Sequence, residues 1–260
     1  GTLPIALGEA TKTVGFAMGQ IKTYEFTLAW GAETSSDDVE GEVTRQSESR
    51  PDDSAIDAAL ASFVGEIDQV PPAYSAIKVG GKRAYLLARQ AENLDLAPQL
   101  KPRKIRIDAF KRLGSGSDYA RFYVVCGKGA YIRALARDLG RNLGTAAHVT
   151  DLRRLSVGNF HANDSISLDF LESLPHSSAA FKHLQPVVSA LDDIPALPIS
   201  ENEAVKLRHG QTLPALSLSV RKCLLALQAG KTAIAMSGDM PVALVALKDG
   251  AVCPVRVLNL

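Results

Sequence analysis

Arg133, Arg137 and Arg141 recur at four-residue steps just after the glycine pair Gly127 and Gly129. On a helix that spacing lines three guanidinium groups along one face. Arg133 falls in the first helical turn, where the helix dipole is positive, so it serves helix stability poorly and calls for a carboxylate or phosphate. The glycines free the preceding backbone for positive φ or for close approach of another chain, and the helix start offers unpaired amides at the same corner. Such a corner suits an anion. Asp37 and Asp38 are the only close acidic pair placed where catalysis is conceivable, yet no histidine or metal-ligand spacing accompanies them. The polar stretch 31–41 that holds them is expected to be an exposed loop without a part in the chemistry. His148 stands alone and fits a structural histidine. Tyr24 shares one side of a pleat with Phe26 and Leu28, and by position alone ordinary packing accounts for it.

Several elements must position these groups. Residues 120–126 are β-rich and too apolar for an exposed strand, and Ile132, Leu135, Ala136, Leu139 and Leu143 then recur at helical spacing as one buried stripe. A strand therefore feeds a buried helix through a glycine turn. Residues 22–30 alternate as a half-buried strand, and 101–112 form a basic one that turns at 114–118. Short helical character is expected at 13–18. A fuller helix is expected at 53–64, with Ile56, Leu60 and Phe63 inward and Gly65 past its end. Residues 164–191 read as mostly helical with a Pro-His-Ser-Ser break. Pro186, Pro195 and Pro198 then bracket a linker, and a second domain begins near Ala196. In it Ser200 to Glu203 forms a capping box for a helix running to His209 and ended by Gly210. Short strands at 223–227, 232–236, 242–247 and 253–258 follow, as in a small barrel.

A chain of 260 residues with 46% hydrophobic content can bury a sizeable core, and its net charge of +1 alone argues against nucleic acid. The distribution argues otherwise. Residues 33–68 carry 11 acidic and 2 basic side chains, whereas residues 78–154 carry 17 basic and 6 acidic. A basic middle flanked by acidic material can present a positive surface to a phosphate backbone. Within it, residues 71–89 interleave Tyr74 and Tyr85 with Lys78, Lys82, Arg83 and Arg89, a mixture suited to stacking bases and meeting phosphates of a loop or single strand. Cys126, Cys223 and Cys253 are odd in number and widely spaced, so neither a disulfide framework nor a zinc site is indicated. No apolar run reaches membrane-spanning length and no signal-peptide pattern opens the chain, which makes the cytoplasm the expected location.

The blocks Leu3-Pro4-Ile5-Ala6-Leu7-Gly8-Glu9-Ala10-Thr11-Lys12, Lys22-Thr23-Tyr24, residues 71–89, Lys128-Gly129-Ala130-Tyr131-Ile132-Arg133 and Leu152-Arg153-Arg154-Leu155 follow one another in an order and spacing that resembles the TruB-type tRNA pseudouridine synthases. Those enzymes isomerise uridine 55 in the TΨC arm of tRNA. The resemblance implies an α+β fold, with a mixed and antiparallel-sheet catalytic domain over 1–195 and a small β-rich PUA-like RNA-binding domain over 196–260. An insertion at about 70–104 is implied to grip the TΨC arm.

It also implies site residues. Arg133 matches the arginine that holds the family's nucleophilic aspartate ionised and oriented, and Tyr24 matches the tyrosine that stacks on the target base and can serve as base. Tyr131 and Leu152 match residues that shape the nucleotide pocket, and Tyr74 and Lys78 fall in the RNA-gripping part. The reaction exchanges an N-glycosidic for a C-glycosidic bond, so no cofactor and no metal are expected. The partner implied is tRNA through its TΨC stem-loop, met by a monomer. The family's aspartate lies in a Gly-Thr-Leu-Asp-Pro motif upstream of the block that begins here at Gly1, so it and a nearby histidine are expected before Gly1 and are missing from these residues. The alternative is a non-catalytic tRNA-binding or tRNA-folding module.

Overall fold

The computed structural model describes residues 1–90, 100–175, 177–191, 194–214 and 232–260. The strand expected at 223–227, with Cys223, lies outside these residues, as does part of the expected RNA-gripping insertion. The described chain forms two units, Gly1–Thr2 with Gly19–Val157, and Leu3–Met18 with Gly158–Leu260.

Near the chain start a 3-10 turn at Gly8–Thr13 runs into a short helix α1 (Val14–Ala17). Leu3, Ile5 and Leu7 before it are exposed. The first unit then contains β1 (Lys22–Trp30), β2 (Ala32–Thr34), β3 (Val43–Gln46), α2 (Asp53–Leu60) and β4 (Gly65–Gln69). The two-residue strands β5 (Lys78–Val79) and β6 (Lys82–Arg83) make a small hairpin ahead of α3 (Ala84–Gln90). The long strands β7 (Arg103–Ser115) and β8 (Tyr119–Cys126), helix α4 (Ile132–Asn142) and strand β9 (Ala147–Val157) complete it.

Its sheet is ordered β9, β1, β8, β7, β4, with every neighbour antiparallel. The period-two alternation of β1 turns Phe26, Leu28 and Trp30 into the core, where Phe26 lies opposite Phe122 and stacks on it with ring centroids 5.3 Å apart. Helix α4 closes this face with Ile132, Leu135, Ala136 and Leu139, all buried. Gly140 permits the close approach: a Cβ there would stand 2.8 Å from the Cβ of Ala147 at the start of β9. Helix α2 ends at Leu60, and residues 61–63 tighten into a 3-10 turn before Gly65, which takes φ 104°.

The second unit is built differently. After β10 (Phe160–His161), the stretch read as mostly helical is a chain of short turns, of which α5 (Leu168–Ser173) and α6 (Ser177–Ala180) are the helical parts. Strand β11 (Ala196–Pro198) and helix α7 (Glu201–Arg208) follow, the latter started by a complete capping box of Ser200 with Glu203 and followed by Gly210 at φ 75°. With β12 (Leu213–Pro214), β13 (Thr232–Ser237), β14 (Met240–Lys248) and β15 (Ala251–Val257), β11 makes a five-stranded sheet ordered β11, β13, β14, β15, β12. Only the β11 with β13 pairing is parallel. The architecture is thus α+β with mixed and antiparallel sheets and a β-rich C-terminal part.

Candidate active site at the start of helix α4

The corner between β8 and α4 is held from two sides. Gly129 takes φ 90°, which only glycine adopts without strain, and Tyr131 is the N-cap in an extended conformation with no side-chain cap of the usual kind. Arg133, one residue into the helix, is a junction. Its Nη1 donates to Asp38 Oδ2 at 2.6 Å and to the Ser36 carbonyl at 3.1 Å, and its Nη2 donates to the Tyr74 carbonyl at 2.9 Å. The anion that the arginine called for is therefore Asp38.

The next arginines repeat the arrangement. Arg137 donates to Asp37 Oδ2 at 2.9 Å, to the Val70 carbonyl at 2.7 Å and to Asp138. Arg141 forks onto Glu33, with Nη2 2.7 Å from Oε2, and Arg45 reaches the same carboxylate. The stretch 31–41, read as an exposed loop, is thus corrected: Glu33, Thr34, Ser36 and Asp37 are buried, and Glu33, Asp37 and Asp38 are each matched to an arginine of the α4 ladder, while Val39 and Glu40 stay exposed. Burial needs this pairing, because an unpaired carboxylate is too costly to remove from water.

The two aspartates differ electrostatically. Burial acts to raise the Asp38 carboxyl, but the Ser36 hydroxyl, the Glu40 amide and Arg133 together outweigh it and hold Asp38 below the usual carboxylate range. At Asp37 burial wins over Arg137, and the carboxyl is pushed up to about 6. Asp37 also adopts φ 61°, unusual outside glycine, which fixes the tight bend between Ser36 and Asp38.

Tyr24 and Leu152 occupy the sheet on the face that α4 covers. Tyr24 lies opposite Arg154 of β9, and Phe26 lies opposite Leu152, so pleating turns all four to one side. Leu152 remains exposed there at 42%. Two bulges in β9, at Thr150 and Leu155, bracket this stretch and break its alternation. Burial raises the Tyr24 phenol above its ordinary value, with a hydrogen bond to Arg154 acting against the shift. Arg154 in turn donates to the Thr2 carbonyl at 2.6 Å, and the Thr2 amide donates back to the Arg154 carbonyl. Gly1 lies so close that a Cβ on it would stand 2.7 Å from the Arg154 nitrogen.

Tyr74 reaches Arg133 through its backbone carbonyl, and Lys78 is exposed on the β5–β6 hairpin. The contacts described bring Arg133, Asp38 and Tyr74 together, set Tyr24 and Leu152 on the α4-facing side of the sheet, and leave Lys78 at the surface. Sequence reasoning weighed Asp38 without foreseeing its pairing with Arg133, and it missed Gln69. The Gln69 carboxamide is buried and brackets the Tyr131 backbone, with its Oε1 accepting from the Tyr131 amide at 2.9 Å and its Nε2 donating to the Tyr131 carbonyl at 3.1 Å. The one available signal was its place beside the prolines that lead to Tyr74.

His148 is a structural histidine, with Nδ1 2.8 Å from the Ala32 carbonyl. Cys126 is buried with its thiol pushed up to about 12, which leaves it inert. Among the described residues no cluster could hold a metal ion, and no helix is long and apolar enough to cross a membrane.

Residues 1–132 match the TruB family pseudouridylate synthase N-terminal domain, and residues 133–193 match the tRNA pseudouridylate synthase B C-terminal domain. The tRNA pseudouridine synthase B of Rhodospirillum rubrum is 47% identical over 261 residues, covering 100% of this chain and 83% of that protein. The protein of the same name from Caulobacter vibrioides is 45% identical over 262 residues, with the same coverage. Among solved structures, a chain of a Cbf5-Nop10-Gar1 complex superposes with a TM-score of 0.70 at 22% identity, covering 99% of this chain and 72% of that one, a likeness of fold. With matches that run through the whole chain, it belongs to the TruB family of pseudouridylate synthases.

Proposed function

We propose that this protein isomerises uridine to pseudouridine in tRNA, with uridine 55 of the TΨC arm as the target. The observation that carries the reading is the pairing of Arg133 with Asp38 at the start of α4. This arginine is fixed by three acceptors, yet its Nε and one Nη2 hydrogen make no bond among the described residues. Those two donors are enough to hold a second carboxylate ionised and oriented. The aspartate that the family resemblance puts upstream of Gly1 is that carboxylate, and Gly1 and Thr2 run along β9 at Arg154, directly across from Tyr24.

In this reading the target nucleotide leaves its stack before reacting, since its glycosidic bond is out of reach inside the folded arm. Tyr24 stacks on the extruded base, Leu152 and Tyr131 shape its pocket, and Tyr74 and Lys78 meet the arm. The bond from C1′ to N1 breaks, the base turns, C5 bonds to C1′ and gives up its proton, and N1 gains one. The product is an isomer, so the balance needs no oxidant, reductant or metal. The raised pKa of Tyr24 favours stacking over proton abstraction, because a base works best when its pKa lies near the ambient pH. The working form in this reading is a cytoplasmic monomer.

Full-length protein is to be incubated with unmodified tRNA and with an isolated TΨC stem-loop, and the products mapped by fragment mass spectrometry after derivatising pseudouridine. Pseudouridine at the TΨC position of both substrates is expected. Its appearance only in another arm would refute the assigned target, and its absence from both would refute the activity.

A further inference from the structure

We infer that Gln69 is a positioning residue for the reaction, holding the start of α4 in the geometry that aims Tyr131 and Arg133. The inference rests on the functional reading above.

Three features of the fold support it. The turn from β8 into α4 contains Gly127 and Gly129, the latter at φ 90°, and no side chain caps the helix at Tyr131. Gln69 braces that N-cap residue through its backbone instead. Its carboxamide pairs with both backbone groups of Tyr131, as a neighbouring strand would, and it is only 2% exposed. The same segment then grips α4 twice more, through the Val70 carbonyl on Arg137 and the Tyr74 carbonyl on Arg133. Gln69 is the member of this set nearest the glycine turn, and the only one that acts on the residue from which the helix starts. The Tyr131 carbonyl also accepts the Leu135 amide, so Gln69 ties the first helical hydrogen bond directly to β4.

Losing this clamp frees the turn without touching the core. Small displacements of a reacting constellation cost rate far more than they cost binding. The effect belongs in the chemical step.

The test uses full-length protein carrying Gln69→Met or Gln69→Glu, compared with wild type and Arg133→Ala. The methionine variant keeps side-chain length and loses both hydrogen bonds, whereas glutamate keeps the acceptor for the Tyr131 amide and loses the donor. Single-turnover pseudouridine formation is expected to fall roughly ten- to a hundredfold in both, with the tRNA Kd within about twofold of wild type. Amide hydrogen exchange supplies a readout independent of activity: Tyr131 loses protection in the methionine variant and keeps it in the glutamate variant. A folded Gln69 variant with wild-type single-turnover rate, measured where Arg133→Ala is impaired, overturns the inference and leaves the function standing. Absence of pseudouridine from the wild type overturns the function instead.

Discussion

Asp38 joins a lowered pKa to a 2.6 Å bond with Arg133, and the pair predicts a specific defect. Asp38→Ala removes the charged partner of Arg133, and single-turnover pseudouridine formation is expected to fall on the order of a hundredfold with tRNA affinity retained, as for a group that orients rather than binds. Asp37 behaves in the opposite sense. Its folded pKa of about 6 exceeds the ordinary 3.8, so the native state holds this proton more tightly than the unfolded chain does. The associated stability is fully present below about pH 4 and is lost as pH rises to about 6, a difference of at most about 3 kcal/mol. Asp37→Asn keeps an acceptor for Arg137, tolerates the positive φ and cannot ionise. Denaturant unfolding of the two proteins from pH 4 to 7 is expected to show a flatter pH dependence for the variant, and parallel curves would contradict the role given to Asp37. Sequence alone showed Arg133 as a cation in want of an anion. It did not show which anion, because Asp38 lies 95 residues away and a polar run such as 31–41 reads the same whether solvated or paired beneath a helix.

At the scale of elements, α4 is where sequence and structure meet most closely. Its stripe of Ile132, Leu135, Ala136 and Leu139 has helical period and is buried as expected, since amphipathic spacing reports directly on which face meets the core. Strand β9 was harder to read: the extra residues Thr150 and Leu155 shift its alternation twice, so no clean period of two survives in the residues that carry Leu152 and Arg154. The contact of α4 with β9 is tight at Gly140, where a methyl group meets both Ala147 Cβ and, at 3.0 Å, its backbone nitrogen. Gly140→Ala is expected to destabilise the protein by about 1–3 kcal/mol in denaturant unfolding, as overpacking does in a filled core. It also pushes on the helix that bears Arg133, so activity should fall with it. An unchanged midpoint would mean that α4 does not pack against β9 this closely.

Across the molecule, the opposed charge blocks of the sequence largely answer one another. Glu33, Asp37, Asp38, Asp53, Asp57 and Glu66 of the acidic block pair with Arg141, Arg137, Arg133, Arg112 and Lys104 of the basic one. The near-neutral total therefore records internal complementarity as well as a surface. Lys78, Lys82, Lys101, Lys111 and Lys128 make no ion pair among the described residues, and the proposed function assigns them to phosphates. Affinity for tRNA is expected to fall as salt rises, and Lys78→Ala to reduce the slope of log K against log salt by about 0.7–0.9 if it meets one phosphate. An unchanged slope would place Lys78 away from the RNA. The two-unit organisation was legible only in outline, because a linker marked by prolines says where a chain pauses and not which segments pack together; Leu3–Met18 joins the C-terminal unit across the whole of Gly19–Val157.

The most direct measurement compares full-length wild type with Arg133→Lys on one unmodified tRNA, scoring the pseudouridine content of the TΨC arm and the tRNA Kd for each. Lysine keeps the positive charge and loses the fork that holds Asp38 and to which the proposed function assigns a second carboxylate. Near-complete conversion by the wild type, with conversion lowered at least about a hundredfold and binding nearly unchanged in the variant, is the expected result. Equal conversion by both proteins would contradict an active site built on Arg133.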